Sequence, residues 1–134
     1  MPSSYTTSNR FEEQATGENI NTWGVRLIQG MIRLVEWSLN GWVANISGNV
    51  TLSTENGADD QARRRILTAT AACTITIPDV PKWYIVWAKN GDVVVANSGS
   101  SATVKSGNLC IVLTDGTTVS TGTVTDFGGA RLKG

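Results

Sequence analysis

Histidine is missing from this 134-residue chain. That removes the commonest general base and metal ligand and excludes Ser-His-Asp and Cys-His arrangements. Cysteine is scarce: Cys73 and Cys110 are the two present. Without histidine they do not make a usual zinc site, and both sit in apolar β-like runs. They read as small buried hydrophobes rather than as a disulfide. Charge is sparse and cancels, 11 basic against 11 acidic residues. Neither nucleic acid, a membrane nor an acidic substrate is expected as the main partner. No glycine-rich phosphate loop occurs. The longest apolar-rich stretch contains Arg26, Arg33 and Glu36, so no membrane span is expected. MPSSYTTSNRF at the start has no basic segment followed by an apolar one, so no signal peptide is expected. The Asn45-Ile46-Ser47 and Asn49-Val50-Thr51 triplets then read as chance matches to the glycosylation pattern.

Few groups are left to carry chemistry. Asp59-Asp60 is the close carboxylate pair of the β-like part, a combination suited to calcium or to glycosidase work. Arg63-Arg64-Arg65 follows at once, and salt bridges between these neighbours are the favoured reading over phosphate contact. The chain therefore reads as a non-enzyme with no cofactor and no metal.

What is present is one long helical pattern, Asn21 to Gly41, among many β-like segments. Asn21 or Thr22 is placed to cap it, and Asn40-Gly41 to close it in the left-handed conformation. Arg26, Gln29, Arg33, Glu36 and Asn40 fall three or four apart and form one polar stripe. Val25, Ile28, Ile32, Val35 and Leu39 repeat with a 3, 4, 3, 4 spacing. Trp23, Leu27, Met31 and Leu34, flanked by Trp37, make a second apolar set. A surface helix on a small domain needs one apolar stripe of roughly 100°, and this pattern is wider. The favoured arrangement has one face on its own domain and the other on symmetry mates, rather than a central buried helix. β-branched residues at both heptad positions favour trimers or higher states. Gly30 costs about 1 kcal/mol against alanine in mid-helix and permits a neighbouring backbone to approach.

Residues 1–20 are polar, with Tyr5, Phe11 and Ile20 as exceptions, and lack the apolar surface to fold alone. They read either as a solvated tail or as an extended arm ordering against a neighbour through Tyr5 and Phe11. From Trp42 onward, short β-like runs are separated by turn signals. Hairpins are expected at Gly48-Asn49, Asn90-Gly91 and Asp115-Gly116, and one helical turn at Ala58 to Arg64. The runs KWYIVWA and LCIVLT are apolar on both faces, which suits strands covered on both sides. Trp83 and Trp87 share a face with Ile85 between them. Packing against the helix is favoured over a sugar-stacking platform, to which Trp42 would also belong. Roughly eight short strands suit a small sandwich, barrel or prism. The expected organisation is mainly β: an extended arm over 1–20, an assembly helix over 21–41, an antiparallel β domain over 42–126 and a short tail over 127–134.

Several strings also resemble those of a family of small virion proteins encoded by tailed bacteriophages and prophages. They are YTTSNRFEEQATGENINTWG, LSTENGADDQARRRILTATA, TITIPDVPKWYIVWAKNGDVVV and LCIVLTDGTTV, which together cover most of the chain. Such proteins are described as tail-fibre, head-fibre or decoration-type structural proteins. The resemblance implies a non-enzymatic homo-oligomer, a trimer by the helix pattern, built into a particle assembled in the bacterial cytoplasm. Its partners would be other copies and neighbouring capsid, portal, adaptor or tail proteins. The arm and helix would attach it through Tyr5, Phe11, Trp23, Val25, Ile28, Met31, Ile32, Val35 and Leu39, with the β domain projecting. The runner-up is a carbohydrate-binding module contacting host glycans through Trp42, Trp83 and Trp87.

Overall fold

The computed structural model describes residues 3–17 and 20–122, and the tail expected over 127–134 lies outside them. The fold is mainly β with one helical segment. The arm forms a miniature hairpin, β1 (Ser4–Tyr5) with β2 (Glu12–Glu13). The helical segment follows: α1 (Trp23–Leu27), a π-helical turn (Ile28–Ile32) and α2 (Arg33–Asn40). Next come β3 (Trp42–Ile46), β4 (Val50–Thr51), β5 (Ile66–Ala69), β6 (Cys73–Thr76), β7 (Pro81–Ala88) and β8 (Val93–Ala96). β9 (Ser101–Val104), β10 (Leu109–Asp115) and β11 (Val119–Gly122) complete it.

Two sheets face each other. One has five strands in the order β11-β10-β7-β5-β3, the other four in the order β4-β6-β8-β9. Strands alternate between the sheets from β3 to β8, so the chain winds as a flattened coil. Each winding lays one strand on each sheet, parallel to the one before: β3, β5, β7 on one side and β4, β6, β8 on the other. Ile66 pairs with Ile85 and Cys73 with Val93, one winding later. Antiparallel pairing enters afterwards, through β8–β9, β7–β10 and β10–β11. The sandwich agrees with the expected architecture, but its pairing is mixed rather than antiparallel throughout.

The corners explain the difference. Asn90-Gly91 does not close a hairpin; it carries the chain from β7 across to β8 in the other sheet. Gly91 has φ 122°, and a Cβ there would stand 2.4 Å from the Ala72 nitrogen on the preceding corner. Gly48-Asn49 likewise crosses between sheets, and the Asn49 Oδ1 accepts from the Thr74 N–H of the next winding at 2.8 Å. Asp115-Gly116 does close the expected β10–β11 hairpin. Asp115 Oδ1 accepts from the N–H groups of Thr117 and Thr118 at 2.9 and 2.8 Å.

Alternation along each strand sends one set of side chains into the core between the sheets. Leu67, Ile75, Tyr84, Val86, Val93, Val95 and Val112 are fully enclosed there. Burying each such aliphatic side chain contributes roughly 1.5–3 kcal/mol. Cys73 and Cys110 are buried, free thiols at the margin of this core, and burial raises the Cys73 pKa.

One end of the sandwich is closed by a polar clasp that ties down the arm. Asp60 is buried and takes the Arg10 guanidinium in a two-pronged grip, Nε at 2.8 Å and Nη2 at 2.9 Å. It also accepts from the backbone N–H of Arg63 and of Glu55. Arg63 has no exposed surface. Its guanidinium donates to the carbonyls of Asn9, Arg10, Glu55 and Ala58. The Arg63 guanidinium takes the Ala58 carbonyl and the Ala62 N–H donates to the Ser53 carbonyl, and the turn expected at Ala58–Arg64 is an irregular loop instead. Arg10 holds φ at 55°, a conformation costing roughly 1–2 kcal/mol for a residue with a Cβ, and the clasp keeps it there. Asp59 pairs outward with Arg64 at 2.8 Å. The acidic pair therefore does ion-pair work, as expected, but its main partner comes from the arm.

Two predictions follow from the clasp. Asp60→Asn leaves two buried guanidiniums short of a countercharge and should lower unfolding stability by about 3–5 kcal/mol. Asp59→Asn, at a half-exposed pair, should cost less than about 1 kcal/mol; urea unfolding followed by circular dichroism measures both. Lys82 donates to Asn9 Oδ1 at 3.0 Å. Its pKa is drawn down to about 8, first by burial and then by Arg65 and Arg10. Below pH 8 native and unfolded chains both hold that proton. Between about pH 8 and 10 the native chain sheds it first, so stability rises with pH. Lys82 keeps some contact with solvent, so the gain should be about 1 kcal/mol rather than the ~3 kcal/mol the full displacement would carry. Burial raises the Tyr84 phenol well above its ordinary value. Above roughly pH 10 unfolded tyrosines ionise first and stability falls. The buried Cys73 thiol, also raised, works against Lys82 over the same range, so the Lys82 contribution is read by difference: stability of wild type relative to Lys82→Met should rise by about 1 kcal/mol between pH 8 and 10.

Candidate assembly surface

The helical segment lies outside the sandwich. Leu34, Gly30 and Ser38 are buried and Leu27 and Val35 half-buried, so one face rests on its own chain. The arm provides the seat. Glu12 is 2% exposed and accepts from Arg26 Nε at 3.1 Å. Gln14 donates to the Trp23 carbonyl. Gly30 makes room for Glu12: a Cβ there would stand 2.9 Å from Glu12 Oε1 and 3.2 Å from Glu12 Cβ. Gly30 thus admits an arm side chain, not a neighbouring backbone, and it sits in the π turn, a distortion often found at functional positions. Thr22 is the N-cap residue but its side chain makes no cap bond. Gly41 is extended, with φ −72° and ψ 145°, not left-handed. Glycine is needed there for space, since a Cβ would meet the Trp37 carbonyl oxygen at 2.4 Å.

Large apolar residues stand exposed on the rest of the helix, beside the equally exposed polar stripe of Arg26, Gln29, Arg33, Glu36 and Asn40. Trp23, Val25, Ile28, Met31, Ile32, Trp37 and Leu39 are each between 37% and 55% exposed. Six of these, Trp23, Val25, Ile28, Met31, Ile32 and Leu39, are expected assembly residues, and Trp37 joins them; Val35 is half-buried. A π turn holds more residues than an α turn, so the 3, 4 spacing does not carry a straight stripe through it. Tyr5 and Phe11 lie elsewhere. Tyr5 packs over Gly57, where φ is 68° and a Cβ would stand 2.8 Å from its ring. Phe11 lies under the Arg63 guanidinium, 5.9 Å from its ring centre. The arm is therefore ordered on its own chain, joining helix to sandwich, and these aromatics secure that joint. Arg10, Glu12 and Arg63, which do most of the joining, carry no periodic signal in the sequence.

A second open apolar surface is the outer face of the five-stranded sheet. The registers line up Trp42, Ile66, Ile85 and Ile111 in one row, Trp87 with Leu109 in another and Trp83 with Leu113 in a third. Trp42, Trp83, Trp87, Leu109, Ile111 and Leu113 remain 37–59% exposed. Trp83 and Trp87 do share a face, as their spacing requires, but the helix does not cover them. Arg65 stacks on Trp83, 3.7 Å from the ring centre, and Lys89 on Trp87 at 4.5 Å. Burial lowers the Arg65 pKa from its ordinary value. A shallow depression on this face is lined by Pro81, Lys82, Trp83, Ile111, Leu113 and Thr114. Leu109, Ile111 and Leu113 were legible only as part of a run apolar on both faces; that run marked them as needing cover without saying what supplies it.

Among the described residues no group of three potential metal-ligating side chains comes together, and no helix is long and apolar enough to cross a membrane. Comparison with models of known protein families, with curated proteins and with solved structures finds no match.

Proposed function

We propose that this chain is a non-enzymatic structural protein of a tailed-bacteriophage particle: an oligomeric fibre or decoration subunit attached through its helix and arm. The observation that carries the assembly reading is the exposed apolar surface of the helix. Seven large apolar residues stand exposed on it beside its polar stripe, on an element already secured to its own chain through Gly30, Leu34 and Ser38. Such a surface is a poor end state in water and a suitable one between copies. A trimer is the order the sequence pattern favours, with the π turn offsetting Val25 and Ile28 from a straight seam with Ile32 and Leu39. The particle assignment rests on the strings shared with tailed-phage virion proteins, and capsid, portal, adaptor or tail proteins are the neighbours that reading implies.

A second reading has one observation in its favour: Trp42, Trp83 and Trp87 lie open on one sheet face, as a glycan-stacking platform requires. The surroundings weigh against it. Cations already stack on Trp83 and Trp87, and the side chains between them are Ile66, Ile85 and Ile111, which offer a sugar no hydrogen bonds. Titration with a panel of bacterial surface glycans should leave tryptophan emission unchanged; a saturable change lost in Trp83→Ala would favour this second reading.

Sedimentation velocity at micromolar concentration tests the assembly. The wild-type chain should sediment as an oligomer, and Ile28→Asp with Ile32→Asp should sediment as a monomer with an unchanged β spectrum. A monomeric wild type would refute the assembly reading. Immunogold labelling of purified particles tests the location, and particles lacking the label would refute that part.

A further inference from the structure

Strands β7 and β10 are apolar on both faces. Their inner residues, Tyr84, Val86 and Val112 among them, fill the core. Their outer residues Trp83, Trp87, Leu109, Ile111 and Leu113 stay 37–59% exposed, with the Arg65 and Lys89 side chains laid over the two tryptophans. A strand facing water on one side carries polar residues there, so this outer face is built for contact.

Size, composition and position indicate the occupant. Taking ~200 Å² for each large side chain and its fractional exposure, the sheet face leaves roughly 550 Å² of apolar surface open. That is comparable with the apolar share of the ~800 Å² per partner of a standard stable interface. The helix and this face adjoin in the chain. Leu39 is exposed on the last turn of α2, Gly41 leads directly into β3, and Trp42 heads the central row Trp42, Ile66, Ile85, Ile111. That row is uncharged, as the centre of an interface is. Arg65 precedes β5 and Lys89 follows β7, so both cations flank it. A small ligand does not fill such an area, and in the assembly proposed above the helix brings copies of this chain together at the neighbouring surface.

We propose that the outer face of the five-stranded sheet packs against the same face of further copies of this chain, forming with the helix one continuous self-assembly surface. This rests on the oligomeric reading of the helix and extends it to the β domain. The β domains are then held face to face along the particle-bound oligomer rather than hanging free from a helical stalk. A three-fold axis running along this face brings it against its equivalents in the other two copies, each contact joining one side of the patch to the opposite side of the next.

Two measurements on the full chain test this. Leu113→Asp with Ile111→Asp places charge where the single chain leaves side chains in water, so the fold should persist by circular dichroism. Its association measured by sedimentation should weaken about 10-fold or more, as central interface residues do. Disulfide trapping then avoids any effect on folding. Ile85→Cys, Ile111→Cys and Leu113→Cys are oxidised one at a time and compared on non-reducing gels with wild type, whose own thiols are buried. At least one should give a covalent dimer. If all three stay monomeric while Ile28→Cys on the helix cross-links, the sheet proposal is overturned and the helical oligomer stands. If neither set cross-links and wild type sediments as a monomer, both fail. If the Asp pair associates as tightly as wild type, the sheet face lies outside the assembly and the proposal is overturned.

Discussion

The carboxylate of Asp60 is the one charge on which the arrangement of this chain depends. It lies under the arm, grips Arg10 with both oxygens and receives the backbone N–H groups of Arg63 and Glu55. Arg63 extends the network by donating to four carbonyls, two on the arm and two on the loop. Burying charge in this way is costly unless nearly every donor and acceptor is matched. Here the matching partners come from segments more than 40 residues apart, as the Arg10–Asp60 bond shows by spanning 50. The result is specificity of place. The arm has little apolar surface to bury, so hydrogen bonds and ion pairs must fix it, and the arm in turn seats the helix through Glu12 and Gly30.

This clasp and the coil were unequally legible. Glycine positions and apolar alternation located nearly every strand, because both are local properties. Pairing is not local. Asn90-Gly91 and Asp115-Gly116 have the same turn chemistry, and both glycines adopt positive φ, 122° and 100°. One crosses between sheets and the other closes a hairpin. The difference lies in what waits for the next strand. β8 finds β6 already laid down in the opposite sheet, while β11 finds only β10 beside it. The windings share no sequence repeat, yet they stack because inward positions are apolar in each. The clasp was less visible still. Arg10 and Glu12 look like ordinary polar residues of a tail, and only the folded chain shows them buried at 8% and 2% exposure.

The helix illustrates the opposite case. Its pattern was too apolar for the single face a small domain can cover, and the structure shows where the excess goes. Leu34 and Gly30 turn inward, while Trp23, Val25, Ile28, Ile32 and Leu39 stay in water. Sequence periodicity reports how much apolar surface an element carries. It does not report what covers it, because a core residue and an interface residue satisfy the same physics. The same ambiguity produced the expectation that Trp83 and Trp87 pack on the helix. They need cover, but no described element of their own chain provides it.

Stability and assembly are then linked rather than separate properties. A chain with an open helix side and an open sheet face gains free energy from association that the monomer forgoes, and anything that binds only the folded form stabilises it by mass action. The polar clasp and the apolar faces divide the labour. The clasp fixes helix and sandwich relative to each other within one chain, without needing a partner. In the proposed assembly the faces act between chains, and only if the clasp has already set their relation, since a helix free to swing would present its apolar residues at no constant angle to the sheet. Preorganisation of this kind removes much of the ordering cost that association otherwise carries. On this reading the buried ion pair belongs to the assembly as much as to the fold: loosening the Arg10–Asp60 grip should reduce the affinity between copies even though neither residue lies on an open apolar face. Sedimentation equilibrium of Arg10→Lys, which keeps the charge but not the two-pronged geometry, separates that coupling from simple unfolding. A variant that remains folded and associates as tightly as wild type would show that the helix and sheet contacts are independent.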